Sequence, residues 1–424
     1  MITIRLENTN EHNKNRHHIN KLLVFNDDTG VLNGIDIATP LNIPVNITDN
    51  DKLQKIAPLL DINKTNDCRI IHNNPIPFAY SAPLKVFFDI STMCNLSCPF
   101  CLSNSSVAGM AKVSLPNFTT LVKEMGKLGV FMVKLGGGEP FLHPNFWDFV
   151  KILREENIFV SASSNGVRIS EEDIVNIKKY NLKISISIEG TQKTHDNLRG
   201  KGSYEKAFVS LNKLHKAKIS KIYTRTTLMQ SNLKDVNHVI SLAKSFNGIA
   251  KFNYCKPSGR AVLDENIIIS EKNYKEYLSA LHVLNHKDNI EHVSLDETML
   301  FIQPTSINSL KYGELICGAG KKSLHIAADL VASPCIFIRN NNQLSQKQLL
   351  INGNINDFWS GELNNDFHII RTLKKPKDCN NCTRLCVGEC PAMRSFFNHG
   401  NLLGIDPLCL ENIKKLNNNT LNTD

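Results

Sequence analysis

The chain has 424 residues, with 49 lysines and arginines against 40 acidic residues and a formal net charge of +9. A chain of this length buries a full core without covalent staples, so its 12 cysteines argue against a small secreted disulfide scaffold and for thiols kept reduced, as in the cytoplasm. The start, MITIRLENTNEHNKN, has no apolar signal core, and no later run approaches the roughly 20 apolar residues that a membrane span needs.

Residues 1–80 read as a small α+β unit. Short alternating runs, ITIRL and KLLVF, precede a DDTG turn and VLNGIDI; a helix is expected over 49–60 and a strand at CRII. Pro75, Pro77 and Pro83 mark a loop before the next unit. From Leu84 the pattern becomes a strand and helix repeat. LKVFFDI, VFMVKL, IFVSAS, LKISISI, KIYTRTTL and IAKFNY are strand candidates, separated by helical stretches such as NFTTLVKEMGKL, NFWDFVKILREE and SYEKAFVSLNKLHKA. In the last of these Ala207, Leu211 and Leu214 recur at helical spacing and face the sheet. Six such units over 84–262 predict an α/β fold with an open, partial (β/α)6 barrel whose C-terminal strand ends form the active face. A bridge over 263–316, a cysteine-rich region over 317–410 and a polar tail over 411–424 complete the expected organisation.

The candidate motifs fall on that face. Cys94, Cys98 and Cys101, in STMCNLSCPFC, follow the first strand, and GGGEP (Gly136 to Pro140) follows the second. SSNG (Ser163 to Gly166) follows the third, and Ser185, Ser187 and Glu189 line or leave the fourth. Three thiolates are soft ligands suited to an iron–sulfur cubane and leave one iron for another ligand. Consecutive glycines after a strand let backbone approach a ligand where a Cβ would clash, although an ordinary tight turn has the same composition. Arg225, a charge inside KIYTRTTL, needs a partner or a route to solvent.

These motifs resemble those of the radical S-adenosylmethionine enzymes. The cysteine triplet matches the family's cluster loop in both gaps, with Phe100 where an aromatic residue usually lies beside the adenine. The resemblance implies a [4Fe-4S] cluster on Cys94, Cys98 and Cys101 whose open iron chelates the amino and carboxylate groups of S-adenosylmethionine, and reductive cleavage of that cofactor to a 5′-deoxyadenosyl radical. It further implies cofactor contacts from Gly137, Gly138, Glu139, Asn165, Ser187, Arg225 and Asn232. For Glu139 two roles stay open, holding the ammonium or shaping the loop; for Asn165 and Ser187, local capping is as good a reading as contact. For Arg225 a structural pair stands beside a cofactor or substrate contact. His195, Asp196 and Arg199 in THDNLRG resemble a segment expected to order the rim, and PSGRA (Pro257 to Ala261) resembles the loop after strand six.

The C-terminal cysteines resemble the SPASM extension, which holds two auxiliary [4Fe-4S] clusters. By order, the resemblance assigns Cys317, Cys335 and Cys390 to the nearer cluster, with its fourth ligand open, and Cys379, Cys382, Cys386 and Cys409 to the farther one. The chain departs from the usual pattern at Leu330 and in the short gap from Cys382 to Cys386, so a single zinc on Cys379, Cys382, Cys386 and Cys390 is the alternative. The resemblance implies oxidative modification, with crosslinking foremost, of a ribosomally made precursor peptide or protein side chain, with auxiliary clusters taking an electron and a donor such as flavodoxin or ferredoxin supplying one. The small N-terminal unit is then either a leader-peptide binder or a cap on the barrel. Ile336, following Cys335, departs from the aspartate common in sulfatase-maturing relatives, and neither Asp329 nor Asp406 is singled out as a base. Oxidation of a small polyol or cofactor precursor is the second reading. A noncatalytic metal scaffold is the third; the stretch RTLKKPK reads as a solvated basic face, and nucleic acid is not an expected partner.

Overall fold

The computed structural model describes residues 2–8, 16–26, 31–44, 68–74, 76–219, 222–264, 267–269, 273–295, 317–338, 347–363, 365–373, 390–404 and 406. Two sheets organise them. The first has strands β1 (Ile2–Asn8), β2 (Arg16–Asn26), β3 (Val31–Pro44) and β4 (Cys68–His72) in the order β3-β2-β1-β4. β1 pairs antiparallel with β2 and parallel with β4, so the strand expected at CRII completes the sheet. The helix expected over 49–60 lies outside the described residues.

Alternation in β1 places Arg5 and Glu7 in the interface with the larger unit, where both are buried. Arg5 binds Glu7 at 2.6 Å and donates to the carbonyls of Ala82, Pro83 and Gly129. Glu7 in turn accepts from the amide and hydroxyl of Ser81, both at 2.9 Å. A charge pair this deeply desolvated holds only because every donor has an acceptor. Beside it, Phe25 meets Phe131 and Phe159 with ring centroids 5.1 and 6.4 Å apart. The small sheet is therefore seated on the barrel through a polar clamp and an aromatic contact.

The second sheet contains β5 (Lys85–Ser91), β6 (Met132–Gly137), β7 (Phe159–Ser164), β8 (Lys183–Ser187), β9 (Ile222–Leu228) and β10 (Ile249–Tyr254), all parallel and neighbours in chain order. Each lies within two residues of its sequence-based expectation. One face of every strand is apolar and meets the helices. On β5 these residues are Val86, Phe88 and Ile90, and Phe88 stacks through Phe118 onto Phe149, with centroids 5.2 and then 4.0 Å apart. The helix carrying Phe118, Leu115–Leu128, starts at the Ser114 cap with a proline in its first turn and stops at Gly129 in the left-handed region (φ 70°).

The sheet runs further than the six expected strands. Its order is β11-β10-β9-β8-β7-β6-β5-β12-β13, with β11 at Val293–Leu295, β12 at Ser323–Ile326 and β13 at Ala332–Ser333. β12 pairs in parallel with β5, placing His325 opposite Phe87. The start of the cysteine-rich region thus extends the barrel sheet. Sequence periodicity misses this because a four-residue strand is too short to register. The region 263–316 likewise contributes the helix Tyr274–Leu284 and β11.

Beyond β13, Trp359 is fully buried and donates to the Tyr80 carbonyl at 2.8 Å. Arg371, read from sequence as the start of a solvated basic face, is also buried. Its Nε donates to Gly320 O at 2.6 Å and its guanidinium lies 4.7 Å from the Trp359 ring centroid. Arg371 is a packing residue because its planar cation stacks on an indole that a lysine would fit less well. Residues 374–377 of that stretch lie outside the described residues. Among the described residues, no helix is long and apolar enough to cross a membrane.

Candidate functional site

The loop after β5 is tied to its neighbours through backbone. Cys94 N donates to Ser106 O at 2.9 Å, Thr92 N to Ala111 O at 2.8 Å and Cys101 N to Cys98 O at 3.2 Å. The glycines after β6 lie against this loop: Gly138 N donates to Ser91 O at 2.7 Å and Glu139 N to Met93 O at 2.9 Å. A Cβ on Gly138 would come within 1.9 Å of Met93 O, so glycine here is a requirement of packing between two loops. Ser103 adds a bond from its hydroxyl to Gly137 O at 2.8 Å.

Glu139 is fully enclosed. One oxygen accepts from the Ser164 hydroxyl at 2.8 Å and the other from Asn165 N at 2.7 Å, and burial pushes its carboxyl up to about 7. It joins the β6 and β7 loops, which favours the loop-shaping reading of this residue. Asn165 follows β7, donating from Nδ2 to Asn95 Oδ1 at 2.8 Å and lying 3.9 Å from Cys94 Sγ. Ser187 closes β8 and is buried.

On the far side, Arg199 grips Glu189 through Nε at 3.0 Å and Nη2 at 2.5 Å, and its Nη1 lies 4.0 Å from Cys98 Sγ. The same guanidinium stands 5.2 Å from the Phe100 ring centroid. The other oxygen of Glu189 accepts from Thr227 N at 2.8 Å. Asp196 caps the next helix, accepting from Gly202 N and Tyr204 N, and His195 Nδ1 accepts from Glu189 N. Asn232 spends its amide on backbone, donating to Glu189 O and Thr227 O at 2.9 Å and accepting from Met229 N at 2.8 Å. It braces this turn.

The loop after β10 closes the ring around the cysteines. Gly259 takes φ 59°, and a Cβ there would meet Cys101 O at 2.2 Å. Arg260 donates to Cys98 O at 2.8 Å and Ser105 O at 2.8 Å. Within PSGRA the sequence assigns Arg260 no task, because both its acceptors lie more than 150 residues away along the chain. Arg225, on β9, lies one strand from Lys251, to which it is register-paired, and two residues below Thr227.

The thiols fit an iron–sulfur cluster on their own chemistry. Burial pushes the Cys94 thiol up to about 11, and the other two cysteines push it the same way, while burial also raises Cys98 against the pull of Arg199. Three neighbouring thiolates repel one another, so the thiols need a cationic centre before they ionise together. Among the described residues no three such groups converge as they would on one metal ion. A cubane places each thiolate on a separate iron. Beyond the thiols, the Ser163 hydroxyl at the upper end of β7 is buried and has no partner among the described residues, as expected where a polar ligand supplies one.

Residues 89–243 match the sequence profile of the Radical SAM superfamily. Those residues form a radical SAM domain. A SPASM-type extension follows the radical SAM domain. Among curated relatives, mycofactocin maturase MftC of Mycobacterium tuberculosis (strain CDC 1551 / Oshkosh) is 26% identical over 339 residues, covering 78% of this chain and 83% of the relative. The sporulation killing factor maturation protein SkfB of Bacillus subtilis (strain 168) is 29% identical over 160 residues, covering 37% of this chain and 39% of its own length. Among solved structures, Streptococcus suis SuiB bound to precursor peptide SuiA superposes with a TM-score of 0.70 at 14% identity, covering 92% of this chain and 97% of that one. The radical SAM fold is thus shared, and the chemistry of this chain is that of S-adenosylmethionine and iron–sulfur clusters.

In the extension, Cys317 and Cys335 are partly buried and Cys390 is buried at the start of helix Pro391–Phe397, its amide donating to Asp406 at 3.1 Å. That helix packs on the turn Ile336–Ile338, which brings the segments of Cys335 and Cys390 together. Burial pushes the Cys390 thiol up, against the pull of Lys256, which lies just past β10 and 4.5 Å from the Phe337 ring centroid. Cys379, Cys382, Cys386 and Cys409 lie outside the described residues. Asp406 and Asp329 both accept from nearby backbone amides, of Cys390 and Val331.

Proposed function

We propose that this radical SAM enzyme oxidatively modifies a ribosomally made precursor peptide, forming a crosslink. The observation that carries the proposal is the match to a mycofactocin maturase across 78% of the chain and 83% of that relative. Small-polyol oxidation has no comparable support.

In this reading Cys94, Cys98 and Cys101 hold the cluster that binds S-adenosylmethionine, and together these groups supply a hydrogen-abstracting radical. The chain's own part is placement. Gly137 and Gly138 keep backbone close to the cofactor, Glu139 fixes the β6 loop to Asn165, and the Arg199–Glu189 pair holds the wall beside Cys98 and Phe100. Ser187 faces the same space, while Arg225 and Asn232 act from below and behind it. Crosslinking removes a hydrogen atom and then one more electron and a proton from the substrate. Cys317, Cys335 and Cys390 are proposed to hold the nearer of two auxiliary clusters, with Cys379, Cys382, Cys386 and Cys409 holding the farther, giving three [4Fe-4S] clusters and a route for that electron. A small reducing protein such as flavodoxin or ferredoxin supplies the initiating electron. The N-terminal sheet is proposed to take the leader peptide along its β3 edge, which among the described residues has a strand on one side only.

The test is anaerobic reconstitution with iron and sulfide, followed by reduction with S-adenosylmethionine and the precursor peptide encoded nearest the gene. About 12 irons per chain are expected for three cubanes. Formation of 5′-deoxyadenosine together with a peptide lighter by two hydrogens supports the proposal. Cofactor cleavage that persists in Cys98→Ala overturns the cluster assignment, and turnover of polyols alone overturns the substrate.

A further inference from the structure

Crosslinking releases a proton as well as an electron, so the site needs a base on the barrel's inner face, near the cofactor end and open to the lumen. Glu139 and Glu189 do not serve, because both oxygens of each are already engaged. Asp89 is placed differently. On β5 the residues Val86, Phe88 and Ile90 pack against the helices, so Asp89 projects to the inner face. It stands two residues from the end of the strand, about 7 Å below it. Its register partner on β6 is Gly136, beside the glycines of the cofactor loop. A Cβ on Gly136 would lie 3.3 Å from Asp89 Oδ1 and, among the described residues, within 4 Å of nothing else beyond its chain neighbours. The glycine therefore leaves a gap in the lumen wall next to that oxygen.

The two carboxylate oxygens have different surroundings. Oδ2 lies 3.1 Å from Nε2 of His325, whose side chain is 1% exposed. Oδ1 accepts no hydrogen bond among the described residues, and the Asp89 side chain keeps 13% exposure. Behind the imidazole, Nδ1 lies 3.2 Å from the hydroxyl of Ser333, the register partner of His325 on β13, and that hydroxyl lies 3.3 Å from Cys335 O. Ser333 donates to Nδ1 of a neutral ring, or accepts from a charged ring while donating to Cys335 O. In both arrangements Nε2 keeps a hydrogen for Asp89. One oxygen is thus fixed from behind while the other faces the lumen. A tie between β5 and β12 would use only the first.

We infer that Asp89 Oδ1 takes the proton released as the substrate is oxidised, with His325 and Ser333 as positioning residues. The substrate carbon first gives up a hydrogen atom. It then bonds to a second substrate atom, whose O–H, N–H or S–H bond breaks, and that hydrogen passes to Asp89 as a proton. The one electron left over goes to the auxiliary iron–sulfur cluster proposed at Cys335. The contact of Ser333 with Cys335 O puts both exits on one side of the lumen. This deepens the peptide-maturase reading and rests on it. Oxidation of a polyol to a carbonyl compound releases the same proton, from the hydroxyl of the radical carbon.

The test is Asp89→Asn in the reconstituted full-length enzyme, given the precursor peptide encoded nearest the gene and, separately, glycerol and inositol. Asparagine keeps a carbonyl oxygen for His325 but is not a base, so melting temperature, iron content and peptide binding by calorimetry are expected to match the parent. 5′-Deoxyadenosine should still form, while product per 5′-deoxyadenosine falls at least about 100-fold. His325→Gln should lower the same ratio less, with KM for the peptide unchanged. Formate added to Asp89→Ala should restore part of the product, which it could not do for a lost structural tie. Undiminished product per cleavage in Asp89→Asn overturns the assignment. So does loss of cofactor cleavage itself, which would put Asp89 on the cofactor. Full yield from His325→Gln overturns the positioning role. If the parent turns over polyols alone, the peptide reading fails, and the same ratio on the polyol supports or overturns Asp89. Turnover of neither by the parent overturns both.

Discussion

Arg199 and Glu189 form a two-pronged pair, at 3.0 and 2.5 Å, directly behind the Cys98 thiol and the Phe100 ring. One cation thereby neutralises a fully buried carboxylate and favours negative charge on the Cys98 sulfur, whose thiol burial otherwise pushes up. Removing it as Arg199→Met leaves Glu189 buried and unpaired, for which a loss of about 3–5 kcal/mol is expected. Urea denaturation measures that loss, and Arg199→Lys should recover only part of it because a lysine cannot make the two-pronged contact.

Gly138→Ala is expected to separate folding from cofactor chemistry. The added methyl meets Met93 O at 1.9 Å and must push the cluster loop away from the β6 turn. The core of apolar residues behind the strands is untouched, so circular dichroism should stay native. Cofactor cleavage should fall by about 100-fold, the cost of a misplacement near 1 Å.

Lys251 gives a pH signature. Its folded-state value is lowered from 10.5 to about 7, so between those limits the unfolded chain takes a proton that the folded chain refuses. Its effect on stability is absent above about pH 10.5, grows unfavourably as pH falls toward 7, and is constant below that. Lys251→Met should therefore be more stable than the parent at pH 7, by at least about 1 kcal/mol given that one pKa unit is about 1.4 kcal/mol. The gain should shrink as denaturation is repeated toward pH 10.

Phe25→Ala tests the seat of the N-terminal sheet. Phe25 is 1% exposed and fills the gap between Phe131 and Phe159, so its removal should cost about 3–5 kcal/mol. Deleting residues 1–80 should be worse, since it also removes Arg5 and Glu7 from the clamp on Ser81, Ala82 and Gly129. A leader-binding experiment on that deletion therefore needs a folded-state control.

Much of this molecule was legible in its sequence. The six parallel strands declared themselves because apolar runs of five to seven residues alternate with helical stretches, and that pattern is local. The cysteine triplet and the GGGEP run were legible for a different reason: chemistry fixes which residue types can serve and how far apart they stand. What the linear order left open was partnership. The Glu189–Arg199 pair, the join of Glu139 to Asn165 and the packing of Gly259 on Cys101 each link segments that only the closing of the sheet brings together. β12 was invisible because its four residues acquire meaning only beside β5. Lys183 and Lys251 sit singly in two different strands, each ordinary alone, and only the inward curl of the sheet sets both against the Tyr223 ring, because side chains two residues apart on a strand share a face while strands far apart in sequence share a lumen.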